Sequence, residues 1–259
     1  MDLSINGPKI YFRIRFFGGY INITQTTISL LVVTILLITA AYFLGKNLKK
    51  RPGRLQVVTE KMVTMLYNMV GDTMGKHNLK YAPYIGTLFL SSIVGTLLGM
   101  TKLFASTTAD LSVTLAWALV TTVMVWYANI KNFGFKSWLK GFTEPVVVMT
   151  PMNIVSEIAQ PISLAFRHFG NVAGGGVLTT LIYGALSALS AVVFGWLPGL
   201  LGEIPFFTAG IPAFLSIYFD LFSGFVQALV FCLLTMVYVG TASPPPEELK
   251  TPLATEEQN

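Results

Sequence analysis

Charged residues are scarce in this chain, which has 259 residues and only 11% Asp, Glu, Lys and Arg. Soluble domains carry about 25% charged residues, so the composition excludes a water-soluble globular protein and indicates a membrane protein with several spans. Cysteine occurs once and histidine twice, which excludes an intrachain disulfide and a Cys/His metal cluster. The sequence also lacks a phosphate-binding P-loop and an HExxH motif. We therefore predict no metal site, no cofactor and no catalytic site in the chain itself.

The net charge of +5 does not indicate nucleic acid as a partner. Eight of the 17 basic residues lie between Lys46 and Lys80, beside a hydrophobic run, as is typical of a cytoplasmic membrane flank. With five crossings, this side carries twelve Lys and Arg residues and the other side four. The excess predicts an N-terminus outside and a C-terminus in the cytoplasm.

Five long apolar segments account for most of the chain. The predicted spans cover residues 26–44, 83–100, 111–130, 151–189 and 211–239. Each is long enough for a hydrocarbon core of about 30 Å, and the last two are long enough to tilt or kink. Segment 54–78 has apolar residues at helical spacing and predicts an interfacial amphipathic helix, although packing against a partner is an alternative. The expected fold is an all-α integral membrane protein with a single membrane domain. It is flanked by an outer segment, 1–25, and a polar tail, 241–259.

Arg167 is the only charged residue between Ile158 and Gly202. A permanent charge at the centre of a membrane helix costs roughly 3 kcal/mol on insertion scales, so such residues usually mark functional sites. Arg167 belongs to a row of polar residues spaced by three or four positions, which places them on one side of a helix. The row consists of Asn153, Glu157, Gln160, Ser163, Arg167 and Asn171. We expect this row to face protein or water and not lipid.

Asp220 is the only charged residue between Glu203 and Glu247, and it lies on a second polar row in the last span. This row consists of Ser216, Asp220, Ser223 and Gln227. One interpretation is a structural ion pair between Arg167 and Asp220. The length of both rows favours a hydrated ion path, because an isolated ion pair between Arg167 and Asp220 would not need further polar residues along the two helices.

Two pairs of glycines are spaced for close helix packing. Gly170 and Gly174 lie four residues apart, and Gly174 points within about 20° of the Arg167 direction on an ideal helix. They fit either packing within the chain or contact with a neighbouring subunit. Gly95 and Gly99 are expected to serve packing within the chain.

The segment Pro161-Ile-Ser-Leu-Ala-Phe-Arg167-His-Phe-Gly-Asn171 closely resembles the signature of subunit a of rotary F-type ATP synthases. Further matches are Arg51-Pro-x-x-Leu55-Gln56, Thr108-Ala-Asp110-x-Ser-Val-Thr114-Leu, Asn153-Ile-Val-Ser-Glu157 and Gln227-Ala-x-Val-Phe-x-Leu-Leu-Thr235-x-x-Tyr238. They follow one another in order over nearly the whole chain. The arginine motif is highly specific, and the others are moderately specific.

The resemblance implies a stator subunit with two half-channels for protons or sodium ions, which couples ion flow past a rotating ring to ATP synthesis. It implies ion-carrying ring subunits, peripheral-stalk subunits and membrane lipid as partners. The family's essential arginine corresponds to Arg167. Ion translocation is further assigned to Asn171, Gln227, Asp220, Glu157, Ser163 and Asp110, and rotor-facing packing to Gly170 and Gly174. The form of these motifs and the excess of Lys and Arg on the predicted cytoplasmic side favour the plasma membrane of a bacterium over the mitochondrial inner membrane.

The sequence departs from the family pattern at two positions near the arginine. Many relatives have an acidic residue nine positions after it, where this chain has Gly176. Relatives that lack this acidic residue often carry an acid at the position of Asp220. The resemblance therefore implies that Asp220 takes the place of the missing acidic residue along the outer path. His168 replaces a frequent apolar residue and is expected to be a hydrogen-bonded histidine between helices. The alternative function is an independent secondary ion transporter with an Arg167–Asp220 core pair. Such transporters often show paired hydropathy halves, which this sequence lacks.

Overall fold

A β-hairpin precedes the first membrane helix. The computed structural model describes residues 10–16, 19–46, 48–101, 103–144, 146–194 and 217–246. Strands β1 (Ile10–Phe16) and β2 (Gly19–Thr24) pair antiparallel, with Arg13 opposite Asn22. The sequence-based prediction assigned no secondary structure to this outer segment, because two short strands have no hydropathy signal comparable to that of a span.

Seven α-helices follow the hairpin in the described part of the chain. They are α1 (Gln25–Lys46), α2 (Arg54–Met74), α3 (Ala82–Met100), α4 (Leu111–Phe133), α5 (Phe135–Gly141), α6 (Thr150–Phe194) and α7 (Gly224–Thr241). Short 3₁₀ helices cover Lys76–Tyr81, Thr107–Ala109 and Val147–Met149, and a π-helical segment, Ile217–Ser223, precedes α7. Within these ranges, five helices are long and apolar enough to cross a membrane. The predicted helical membrane fold with five spans is therefore confirmed.

The described helices differ from the predicted spans mainly at their ends. The fifth predicted span began at residue 211, but residues 211–216 lie outside the described residues, as do residues 247–259 of the predicted tail. Helix α4 continues to Phe133, three residues beyond its predicted end, and Gly134 follows with φ 83°. The segment after it, which lies between the third and fourth predicted spans, contains α5.

Helix α2 occupies the place of the predicted interfacial helix. It ends at Met74 and not at residue 78, because Gly75 has φ 82°, a left-handed conformation that favours glycine and stops a helix. Its apolar residues Leu55, Met62 and Met65 are exposed, as expected for a helix whose apolar face contacts lipid.

The chain divides by its internal packing into two compact units. One comprises residues 1–33, 92–111 and 167–228, and the other residues 34–91, 112–166 and 229–259. In the second unit, buried alanines such as Ala82, Ala118 and Ala128 provide small side chains, which permit close helix packing. The buried Cys232 donates its Sγ–H to the carbonyl oxygen of Ile85 at 3.7 Å, so it packs against α3.

Most of the buried residues described in the unit formed by residues 1–33, 92–111 and 167–228 are polar. These buried polar residues are Thr26, Ser29, Ser92, Thr96, Thr107, Thr108, His168, Ser190 and Gln227. A Cβ on Gly99 would lie 2.5 Å from the Cβ of Ser106, and a Cβ on Gly95 would meet the side chain of Thr107. Gly95 and Gly99 therefore serve packing within the chain, as predicted.

Candidate ion-translocation site

Arg167 lies on an exposed face of α6. Other residues of the same helix, from four positions before the arginine to seven positions after it, are also exposed. They include Ser163, Gly170, Asn171 and Gly174. Among the residues that the structure describes, none forms an ion pair or a hydrogen bond with the Arg167 guanidinium. A permanent charge inside a membrane span requires a partner or water, so this face is expected to meet water or another polar or charged group and not lipid.

The glycines beside Arg167 leave that face open. Apart from the adjacent residues and local backbone of α6 itself, no atom of the described residues lies within 4 Å of a Cβ built on Gly170 or Gly174. This distinguishes them from Gly95 and Gly99, which pack against other residues of the chain. An open strip of small residues permits another helix to approach α6 closely.

Asn171 connects α6 to α7. Its side-chain amide donates a hydrogen bond to Oε1 of Gln227 at 2.8 Å. Gln227 is buried, and among the described residues its Nε2 has no hydrogen-bond partner. The structure therefore brings together two of the predicted site residues, and it leaves the buried Nε2 of Gln227 as a donor without a described acceptor.

His168 directly follows Arg167 on α6, which places it about 100° around the helix from the arginine. It is fully buried, and its Nε2 forms a hydrogen bond with Oγ of Ser92 at 3.0 Å. Ser92 lies on α3, so this contact joins two helices of the same unit. The expectation of a hydrogen-bonded histidine between helices is confirmed.

Glu157 lies near the beginning of α6, in the unit that contains α4 and α5. Its Oε1 accepts a hydrogen bond from Nε1 of Trp126 at 2.5 Å. One turn earlier, the Asn153 amide donates to the carbonyl oxygens of Phe142 and Glu144 at 2.9 and 3.0 Å. These contacts connect the polar row of α6 to α4, through Trp126, and to the segment that follows α4, through Phe142 and Glu144.

Two cavities adjoin Glu157. One, of about 490 Å³, is lined by Asn129, Phe133, Ser137, Trp138, Gly141, Phe142, Glu144, Asn153, Ser156 and Glu157. The other, of about 370 Å³, is lined by Trp126, Trp138, Leu139, Phe142, Thr143, Thr150, Ile154, Glu157 and Ile158. The first has a largely polar lining with space for water, whereas the second is walled mainly by aromatic and aliphatic side chains.

Asp110 immediately precedes α4. Its Oδ2 accepts a hydrogen bond from Oγ1 of Thr26, in the first turns of α1, at 2.5 Å. Both residues belong to the unit whose buried residues are mostly polar. The position before a helix favours aspartate because the helix N-terminus carries a partial positive charge.

Asp220 lies in the π-helical segment before α7, and its side chain is outside the described part of the structure, as is the whole of Ser216. The structure therefore does not test the predicted proximity of Arg167 and Asp220. In the described ranges, no group of three or more His, Cys, Asp and Glu residues is arranged to hold a metal ion.

Sequence reasoning missed several residues of the site. Trp126 carries no motif, and its bond to Glu157 joins positions 31 residues apart. Thr26 and Ser92 are small polar residues in apolar segments, whose partners cannot be found from periodicity. Their only sequence signal is a hydroxyl inside a predicted span, which is too common to identify a site.

The described residues form a helical multi-pass membrane protein with an exposed intramembrane cation and polar contacts between its helices, which are features of proteins that translocate ions. The family model for the ATP synthase A chain matches residues 26–240. The chain belongs to this family.

Relatives support the same assignment over most of the chain. The chain is 34% identical over 232 residues to "ATP synthase subunit a, sodium ion specific" of Propionigenium modestum, covering 84% of this chain and 73% of the relative. It is 31% identical over 239 residues to ATP synthase subunit a of Bacillus subtilis, covering 88% of this chain and 95% of the relative. It is also 31% identical over 224 residues to ATP synthase subunit a 1 of Crocosphaera subtropica, covering 86% of this chain and 88% of the relative.

The predicted function follows from family membership. The chain is an ion-translocating stator subunit in the membrane sector of F-type ATP synthase. Its place in that sector implies a partnership with the ring and with the rest of the complex.

Proposed function

We propose that Arg167 separates two half-channels of this stator subunit and meets each ring carboxylate as it passes. The observation that carries the proposal is an exposed guanidinium without a described partner, beside two glycines with open space above them. A carboxylate on a neighbouring helix supplies the missing charge, and Gly170 and Gly174 let that helix approach.

The fixed charge of Arg167 has two effects. It favours the ionised form of a nearby carboxylate, so that a ring site releases its ion before it passes the arginine. It also repels a cation that would otherwise cross directly between the half-channels. An ion must then travel with the ring, and each elementary charge that crosses the membrane is worth about 2.3 kcal/mol per 100 mV.

The cytoplasmic half-channel includes Glu157 and Ser163. Support comes from the polar cavity of about 490 Å³ beside Glu157 and Asn153, which has room for water. Ser163 lies on the exposed face of α6 between Glu157 and Arg167. Ser163 belongs to the same polar row of α6 as Glu157 and Asn153, which line the cavity.

The outer half-channel includes Asp110 and Asp220, and Asn171 and Gln227 lie where it reaches the arginine. The Asn171–Gln227 hydrogen bond and the buried Nε2 of Gln227, which has no hydrogen-bond partner among the described residues, support a polar route at this place. Asp220 supplies the acidic group that Gly176 does not provide. The π-helical backbone at Asp220 supports this assignment, since such turns are frequent at functional sites.

The chain lies in the plasma membrane of a bacterium, with its N-terminus outside and its C-terminus in the cytoplasm. The excess of Lys and Arg on the predicted cytoplasmic side supports this orientation. Besides the ring, peripheral-stalk subunits bind the chain, and lipid surrounds the exposed apolar residues of α2.

Replacement of Arg167 tests the proposed function. In the purified complex reconstituted into vesicles, Arg167→Ala should abolish ATP-driven ion pumping while the subunit content stays the same. Ile162→Ala, a change of an exposed apolar residue about 140° around the same helix from Arg167, should pump normally. Full coupled pumping by Arg167→Ala would exclude the proposed role.

A further inference from the structure

The contact between Trp126 and Glu157 links α4 to the polar row of α6. The indole Nε1–H of Trp126 donates to Oε1 of Glu157, and both side chains are half-buried. An indole nitrogen is a donor only, and a carboxyl group has two oxygens. The bond therefore engages one oxygen of Glu157 and leaves Oε2 free of this particular contact.

The two cavities share three lining residues, which are Trp138, Phe142 and Glu157. Glu157 lines both cavities, whereas Trp126 lines only the apolar one and the amides of Asn129 and Asn153 only the polar one. The bond to Trp126 thus holds Oε1 on the side of the apolar cavity. A carboxyl group fixed in this way has its second oxygen available for exchange with water in the polar cavity.

An aromatic cluster holds the indole ring of Trp126 in place. The ring of Trp138, on α5, lies edge-on at 6.2 Å from the ring of Trp126, and Phe142 lies edge-on at 5.1 Å from Trp138. Edge-to-face pairs at these distances are favourable beyond their buried area. Because ring contacts restrict the Trp126 side chain, its Nε1–H restricts the orientation of the Glu157 carboxyl group more than a donor on a flexible side chain would.

We propose that Trp126 is a positioning residue, which holds the Glu157 carboxyl group at the boundary of the polar cavity so that Oε2 exchanges ions with the cytoplasmic half-channel. The inference rests on the proposed function, because it requires Glu157 to lie on that path. Without the bond, Glu157 turns among several rotamers and spends part of its time away from the polar cavity.

Two substitutions that differ by one hydroxyl group separate hydrogen bonding from packing. In the reconstituted complex, Trp126→Phe keeps an aromatic ring but removes the donor, and Trp126→Tyr keeps a ring with a donor. We expect Trp126→Phe to slow ATP-driven pumping about fivefold, the size of one hydrogen bond, and Trp126→Tyr to recover part of the loss. Tyr127→Phe, at the exposed neighbouring position, should pump normally. Equal rates for the Phe and Tyr variants of Trp126 in assembled complexes would overturn the inference.

A double-mutant cycle with Glu157→Ala shows whether Trp126 acts through Glu157. Glu157→Ala alone should slow pumping, and Trp126→Phe should add no further loss in that background. If Trp126→Phe causes the same additional loss there, its role is packing and the inference fails. If Glu157→Ala slows pumping but Trp126→Phe alone does not, the inference fails and the proposed path stands. If Glu157→Ala pumps normally, the assignment of Glu157 to the path fails as well, whereas the role of Arg167 is tested separately.

Discussion

The side-chain amide of Asn171 donates to Oε1 of Gln227 at 2.8 Å, from the exposed arginine face of α6 to a buried position on α7. Asn171 is exposed, whereas Gln227 is only 5% exposed. The same two residues thus hold helices together and place polar groups beside Arg167. Their contributions to stability and to ion transport are therefore experimentally separable.

Loss of Asn171 should destabilise the subunit more than its exposure suggests. Asn171→Leu leaves the buried Oε1 of Gln227 without its donor, which costs about 1–3 kcal/mol, whereas replacing both partners by apolar residues is nearly neutral. We therefore expect Asn171→Leu/Gln227→Leu to recover stability while ion transport stays low. The thermal unfolding midpoint of the purified complex and its pumping rate measure the two effects. Thr180→Val, at an exposed polar position of α6, is the control, and strictly additive losses in the double variant would contradict the account.

Asp220 should be needed for a fast outer path because the chain has glycine at position 176. Asp220→Asn is expected to slow ATP synthesis by reconstituted complexes, and Gly176→Glu in the same chain should restore part of the rate. The described residues leave open space above Gly176, so α6 can accommodate the new side chain. Thr180→Glu, one turn further along α6, should not restore it. Unchanged synthesis rates of Asp220→Asn across pH would show that Asp220 is not on the path.

The membrane itself makes much of this fold predictable from the sequence. Backbone groups in lipid must be bonded within a helix, so long apolar runs such as those of α1 and α4 identify helices directly. A lone charge such as Arg167 in an apolar run identifies a functional position for a related reason, since lipid cannot solvate it. These signals are local and need no knowledge of which helices touch.

The contacts between helices were not predictable in the same way. The partner of Glu157 is a tryptophan on another helix, and the partner of Asp110 is one threonine among many in the spans. Periodicity states which face of a helix is polar, but not which residue of another helix meets that face. The N-terminal hairpin was missed because its strands are seven and six residues long and lie outside the apolar runs.

Gly174 should be required for coupling to the ring and not for the stability of the subunit. Leucine favours a helix more than glycine by roughly 1 kcal/mol, and the described residues leave space for its Cβ, so Gly174→Leu should fold well. Its side chain would, however, separate α6 from a ring helix and move the ring carboxylate away from Arg167. We expect normal amounts of the subunit in the membrane and strongly reduced ATP-driven pumping.

Two other glycines provide matched controls for Gly174→Leu. Gly45→Leu, at an equally open position of α1, should change neither the amount of subunit nor pumping. Gly99→Leu should lower the amount of folded subunit, because its Cβ would lie 2.8 Å from the backbone of Ser106 and overpacking typically costs about 1–3 kcal/mol. Immunoblots of membranes and pumping per assembled complex distinguish the three variants. If Gly174→Leu behaves like Gly45→Leu in both measurements, the open strip beside Arg167 is not the surface that meets the ring.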